Sequence, residues 1–490
     1  MKKRVFCSIL SAVMLLCAAS CGEIYPQENK ENINEEISVP ENSSEDTPAD
    51  TAQKNDTEST RTDHFAALPD EDHGGREFII AATDISFADG ENSSGLIAQS
   101  LSARTAAIEK KYNIDIKVVP ADASAIPVRL YYSESDTAFC DLVYMPMDTI
   151  SQCAEEGLLS SLYSLPFFDE NAEYTAYAFE DTALCGENIY GIYGDSAFDD
   201  RYAWCVFYNK YLMAGLGYDV PSLISSGQWT WEKFLEISSA AVADIDKNGR
   251  MNRNYDRYGY ASPSHTEGFA RAVFASFGKK FTSVGEDGAL KMDFATTKED
   301  DWYSEIYNIC VKNGALYPVR TPGDAAFSAF SEGRLAFLCE KLSLAERLAY
   351  LPLDWGVAPM PKRNAEQAEY ISHTDSSVCG YAVPLNVSDS VLAGKVLNAI
   401  YAYDKSFSEN AVGNAFAYYY LRDNASAYAA RVLCMSNAYD AVYTYGTDAK
   451  IVSSTYGLLS NVLAANRDFA RTYSGTEKSF SDHVREKFSR

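Results

Sequence analysis

The chain is short of positive charge. Its 490 residues include 42 Lys and Arg against 69 Asp and Glu, a formal net charge of −27, with only 5 His. Such a surface repels phosphodiester backbones and anionic lipid headgroups, which makes nucleic acid and lipid surfaces poor partners. Long apolar runs are missing too. Beyond the first residues nothing approaches the roughly 18 consecutive apolar positions of a membrane helix. Catalytic signatures are lacking: there is no Gly-x-Ser-x-Gly elbow, no His-Glu-x-x-His pair, no phosphate-binding P-loop and no Gly-x-Gly-x-x-Gly after a strand. The 11 cysteines lack metal-ligand spacing. Three fall before residue 22, and Cys140, Cys153, Cys185, Cys205, Cys310, Cys339, Cys379 and Cys434 are scattered in mostly apolar surroundings, the pattern of buried thiols. Pairing of one or two disulfides is left open.

What is present begins with an export signal. Lys2, Lys3 and Arg4 precede an apolar run, Val5 to Leu16, that is too short to span a bilayer permanently. Ala18-Ala19-Ser20-Cys21 then resembles a bacterial lipobox. The resemblance implies removal of residues 1–20, lipidation of Cys21 by palmitate-type acylation, and anchoring at the extracytoplasmic face of the cell membrane. Residues 21–75 are rich in Glu, Asp, Asn, Ser and Thr; with few apolar side chains to offset chain entropy, they read as a disordered acidic tether.

From residue 76 the chain is long enough for two ordinary domains. Aromatic residues are abundant, with 34 Tyr and 24 Phe. A tyrosine offers an apolar face and a polar edge, which suits sugar rings, although for any single tyrosine the core is the better assignment. Arg76–Ala82, Ile114–Val119 and Cys140–Met145 read as strands, with helices from about Gly95 to Tyr112 and from Met147 to Glu156. Strand and helix in alternation predict a parallel α/β sheet with ligands beyond the carboxyl ends of its strands.

The stretch Arg201 to Phe234 has a clear local grammar. An aromatic strand, Tyr202 to Tyr208, meets Asn209 as an N-cap, a short helix from Lys210 and a stop at Gly215 or Gly217. Thr230 caps a second helix, and Trp229 is placed to pack on Phe234 as a hydrophobic staple. The order Tyr208-Asn209-Lys210, Gly, Pro221, Trp229-Thr230-Trp231-Glu232 resembles the family 1 extracellular solute-binding proteins of ABC importers, which include sugar and maltose binders. Further matches are Gly157-Leu158-Leu159, Ile189-Tyr190-Gly191-Ile192, Phe330 with Gly333-Arg334, and Gly356-Val357 with Pro359 and Pro361.

The resemblance implies a two-lobed, periplasmic-binding-protein-like fold with a hinge and interlobe cleft. Lobe one would comprise residues 76–202 and about 357–423, and lobe two residues 203–356 and about 424–490. It implies cleft positions at Tyr144 and Asp148 after the third strand, at Tyr202 and Trp204 on the crossing strand, at His265 and Glu267, at Glu340 and Lys341, and at Tyr456. The alternatives at these positions are structural: Asp148 as a helix N-cap, Tyr144 in the core, and His265 and Glu267 as solvated loop residues.

Asp244-Ile245-Asp246-Lys247-Asn248-Gly249 looks like the first half of a calcium loop, with Asp244, Asp246 and Asn248 as oxygen ligands, but position 12 is Tyr255 rather than Glu. A plain turn explains it equally, and no other cofactor is expected. The functional expectation is a monomeric binder, not an enzyme, that captures a carbohydrate and delivers it to ABC permease subunits. The runners-up are a surface-anchored glycan-degrading enzyme and an adhesion or signalling receptor without transport.

Overall fold

The computed structural model describes residues 63–490 apart from 89, 91–94, 134–138, 170, 171, 173–187, 193–201, 263, 264, 286–289, 320–323, 375–377, 408–419, 436, 466, 467, 489 and 490. The signal segment, Cys21 and most of the acidic segment lie outside the described residues. Among the described residues no helix is long and apolar enough to cross a membrane.

The expected tether ends earlier than residue 75. A short helix, α1 (His64–Ala67), is capped by Asp63, whose carboxylate accepts from the Ala66 N–H. Phe65 packs edge-on against Tyr403 and under the Lys111 ammonium. The Lys111 ammonium donates to the Leu68 carbonyl and to Asp70, while Lys395 pairs with Glu71. Phe65 and these ion pairs give residues 63–75 the partners that composition alone did not reveal.

Strand β1 (Arg76–Ala82) is flanked by β2 (Ile114–Pro120) and β3 (Leu142–Pro146), both parallel to it. Helix α2 (Gly95–Tyr112) makes the crossover, burying Leu101, Arg104, Ile108 and Tyr112 along one stripe. After β3 comes α3 (Met147–Glu155), ended by the left-handed Gly157. The sheet is completed by β4 (Gly191–Ile192) and, between β3 and β4 and antiparallel to both, the much later β10 (Cys379–Ala382). It is therefore mixed rather than purely parallel.

A second mixed sheet forms from β5 (Trp204–Asn209), β6 (Tyr258–Ala261), β7 (Leu335–Lys341) and β8 (Trp355–Pro359), in the order β8-β5-β7-β6. β5 runs antiparallel to both neighbours, and β6 runs parallel to β7. Trp204, Val206 and Tyr208 enter one apolar core, while Cys205 and Phe207 enter another on the opposite face. Burial of both faces explains the unbroken apolar run in the sequence. β8 pairs with β5 along its whole length, so residues 357–359, expected in lobe one, lie in the second sheet.

The caps read from the sequence form as expected. The Asn209 side chain accepts from the Leu212 N–H at the start of α4 (Lys210–Leu216), which stops at the left-handed Gly217. Thr230 accepts from the Lys233 N–H at the start of α5 (Trp231–Ala241), and Trp229 meets Phe234 edge-on at 6.0 Å. Both indoles donate internally, Trp229 to the Pro359 carbonyl and Trp231 to Ser276. These tryptophans are structural.

Helix α6 (His265–Ser276) follows β6, and β9 (Ser372–His373) pairs in parallel with β11 (Asn437–Ala438). α7 (Ser390–Phe407) and α8 (Asn424–Met435) are followed by a 3-10 turn at Ala441–Tyr445, then α9 (Ala449–Ser454), α10 (Tyr456–Ala465) and α11 (Phe469–Phe488). Among the described residues Cys140, Cys153, Cys205, Cys310 and Cys339 are free thiols, and these and Cys379 are buried. Burial pushes the Cys140 and Cys153 thiols up to about 12.

Candidate functional site

In each sheet the carboxyl ends of the parallel strands are the natural place for a ligand. In the first sheet these are Thr83, just after β1, and Pro146 at the end of β3. They are tied together by the Thr83 N–H donating to the Tyr144 carbonyl at 2.9 Å. Tyr144 stands directly across from Tyr381 of β10, with ring centroids 4.7 Å apart, and Arg104 donates to the Tyr381 hydroxyl at 3.3 Å. Both tyrosines are buried.

Asp148 is the second residue of α3. Pro146 occupies the cap position, so Asp148 is not the N-cap. Its Oδ1 accepts from the Thr149 hydroxyl, and burial pushes its carboxyl above the usual range. Its other oxygen faces Gly446: a Cβ built there would lie 2.9 Å from Oδ2. The backbone at Gly446 is ordinarily helical, so the requirement there is for space rather than for a left-handed turn.

In the second sheet the register places Trp204 opposite Lys341. The Lys341 ammonium sits over the Tyr202 ring, 5.3 Å from its centroid. Tyr202 precedes β5 instead of belonging to it, so the shared strand face expected for Tyr202 and Trp204 does not form; Trp204 is 1% exposed and packs in the core. Glu340 is also buried, and one of its carboxylate oxygens accepts from the Lys341 N–H.

Tyr456 opens α10 and lies 5.1 Å from Tyr443 and 6.2 Å from Phe281, with the Arg271 guanidinium 5.2 Å from its centroid. Arg271 lies one turn of α6 beyond Glu267, whose side chain is exposed. Nothing is described of the His265 side chain. Tyr443 in turn meets the His373 ring at 5.1 Å, and β9, which carries His373, runs beside β5. Asp148 and Tyr456 are thereby linked through Gly446 and Tyr443, and His373 carries Tyr443 toward the second sheet. The linking residues were not picked out from the sequence. The density of tyrosine over residues 439–445 was the available signal for Tyr443.

Behind Tyr443 lies a small pocket bounded by the end of α6, Ile371 and His373 around the start of β9, and the segment before the 3-10 turn.

In the acidic loop, carboxylate oxygens of Asp244, Asp246 and Asp256 lie within 4.8 Å of one another. All six of their oxygens already accept hydrogen bonds. Asp244 takes the N–H groups of Asn248 and Gly249, Asp246 takes the backbone and side-chain amides of Asn248, and Asp256 takes the N–H groups of Ile245 and Asn252. The N–H of Gly249 contributes most to holding the Asp244 carboxyl below its usual range. Asn248 is occupied as well, its side-chain oxygen accepting from the Arg250 N–H, and Tyr255 is exposed. The third carboxylate of the cluster thus comes from Asp256 rather than from Asn248, and the loop closes on itself as a turn.

No protein-family model and no curated protein matches the chain. Solved structures do. The cyclic α-maltosyl-1,6-maltose binding protein of Arthrobacter globiformis aligns with a TM-score of 0.55 at 14% identity, over 84% of this chain and 100% of that one. A family 1 extracellular solute-binding protein from Bifidobacterium longum subsp. infantis aligns with 0.52 at 15% identity, over 84% and 100%. A cyclo/maltodextrin-binding protein complexed with maltotetraose aligns with 0.52 at 16% identity, over 83% and 97%. At such identities the likeness is one of fold: the chain has the α/β fold, built on two mixed sheets, of the family 1 extracellular solute-binding proteins.

Proposed function

We propose that the protein is an extracellular solute-binding protein that takes an oligosaccharide between two α/β lobes and presents it to the permease of an ABC importer, without chemistry of its own. What supports this reading is the fold shared with proteins solved as binders of maltotetraose and of a cyclic maltosyl-maltose; the rings around Tyr456 and the Lys341–Tyr202 pair supply aromatic and charged groups suited to a sugar. Tyr202, Lys341 and Glu340 would form one wall with Trp204 supporting them, Tyr144 and Asp148 the other, and Tyr456, His265 and Glu267 the end of the cleft. Aromatic faces would stack on pyranose rings, and the polar groups would select among hydroxyl patterns, since a wrong epimer leaves a buried group unpaired. Lobe one would comprise residues 76–202 with about 360–423, and lobe two residues 203–359 with about 424–490, since 357–359 pair with β5. Lipidation at Cys21 would hold the protein at the outer face of the membrane.

A thermal-shift screen over mono- and oligosaccharides tests the reading, because a ligand that binds only the folded form raises the melting temperature. A hit should also compact the protein in solution scattering through hinge closure. Hydrolysis products appearing during incubation would replace the binder with the glycan-degrading enzyme; failure of every saccharide to shift the melt would remove carbohydrate as the solute.

A further inference from the structure

Arg271, in the middle of α6, carries a charge that no acid answers among the described residues. Other half-buried guanidinium groups meet carboxylates: Arg76 meets Asp141 and Asp389, Arg334 meets Glu332, and Arg363 meets Asp300 and Glu305. Arg271 is half-buried too, but its Nε donates to the Glu267 carbonyl at 3.4 Å, a neutral acceptor, and its guanidinium lies over the Tyr456 ring at 5.2 Å. The Glu267 side chain, one turn earlier, is exposed and does not pair with it. An arginine stays protonated, so the charge persists and the N–H donors of both Nη atoms are left for a ligand.

The surroundings orient those donors. Tyr443 is buried, Tyr456 lies 5.1 Å from it and is half-buried, and the Arg271 guanidinium comes next, so the stack runs from the core outward. Stacking uses the face of a guanidinium and leaves its edge free, the arrangement that takes a carboxylate through two parallel hydrogen bonds. A neutral hydroxyl accepts from such a donor without answering the charge.

We infer that Arg271 sets the class of solute: an oligosaccharide bearing a carboxylate, as in a uronic acid, whose charged group pairs with this guanidinium at the Tyr456 end of the cleft. The inference rests on the reading of the protein as a carbohydrate binder and narrows it from neutral sugars to acidic ones. The formal charge of −27 disfavours anions in general, so taking an acidic sugar requires a cation placed against it.

The probes are maltotriose, mannotriose and galactotriose, each beside its C6-carboxylate counterpart of identical linkage, titrated calorimetrically into the full chain. In at least one pair the acid should bind at least about tenfold more tightly than the neutral sugar, the gain expected of one charge-assisted pair. Arg271→Gln, shown to be folded by a cooperative melt, should bring that ratio to about one, and Arg271→Lys, which keeps the charge but loses the planar fork, should keep part of it. Neutral sugars that bind as well as their acids, or better, overturn the inference and leave the carbohydrate reading standing. An acid preference that persists in folded Arg271→Gln overturns the assignment to Arg271. Absence of binding by every member of every pair up to millimolar concentration removes the carbohydrate reading and the inference with it.

Discussion

Asp148 and Gly446, far apart in the chain, meet so closely that a single added carbon on Gly446 would stand 2.9 Å from the Asp148 carboxylate. This is where the helix after the third strand meets the segment leading into the C-terminal helices. Gly446→Ala should destabilise the protein by about 1–3 kcal/mol through overpacking. Asp148→Ala should restore most of that loss when combined with it. A double-mutant cycle by urea denaturation reads the coupling, and strictly additive losses would mean that the two positions do not press on each other.

The Asp448 carboxylate accepts from Lys487 at 2.7 Å, from His483 at 2.9 Å and from the Lys450 and Ile451 N–H groups, while Lys487 also reaches Glu155 of α3 at 2.6 Å. Burial alone would raise this acid, but the hydrogen bonds from Lys487 and His483 prevail and hold it well below its ordinary value of 3.8. A depressed carboxyl contributes stability above its unfolded-state value and loses it as pH falls toward the folded one. Asp448→Asn should therefore cost about 2 kcal/mol at neutral pH, less as the pH drops below 4, when measured as paired unfolding curves. A deficit that stays constant down to pH 2 would remove the ionic origin.

Trp204 and Tyr202 should separate stability from binding. Trp204→Ala, at a 1% exposed core position, should cost about 3–5 kcal/mol. Tyr202→Ala should change stability by less than about 1 kcal/mol, yet weaken any saccharide found in the thermal screen by about tenfold, through the lost ring face. Unchanged saccharide affinity would take Tyr202 out of the cleft.

The loop around Asp256 should hold without an ion. Each of its carboxylate oxygens already accepts a hydrogen bond from the loop's own donors, so chelation with EDTA should leave the melting temperature within about one degree. Asp256→Ala, which strips two N–H groups of their acceptor, should cost about 2–3 kcal/mol. A calcium-dependent rise in the melting temperature of the wild type would instead assign a bound ion.

What the sequence disclosed was mostly local. Asn209, Thr230 and Gly217 act within a few residues of themselves, so their roles could be read from spacing. Arg76–Ala82 and Gly95–Tyr112 announced themselves by period in the same way. Long-range partners were hidden. Nothing in Tyr144 points to Tyr381, and nothing in Asp148 points to Gly446. The acidic stretch before β1 masked Phe65, whose two aromatic and cationic partners arrive from distant helices. Tyr202 and Trp204 followed strand alternation on paper, but β5 begins only at Trp204, leaving Tyr202 to pack against Lys341 instead.

The buried thiols among the described residues give the molecule an intrinsic clock. Cys140 and Cys153 belong to the core around the first sheet, while Cys205 lies in the second sheet on its opposite, separate core. A thiol shielded in this way reacts with an alkylating reagent only while its surroundings are open. Labelling each cysteine against time, with mass spectrometry to tell them apart, would measure how often each half of the protein breathes. A bound solute that joins the halves should slow both sets of reactions together.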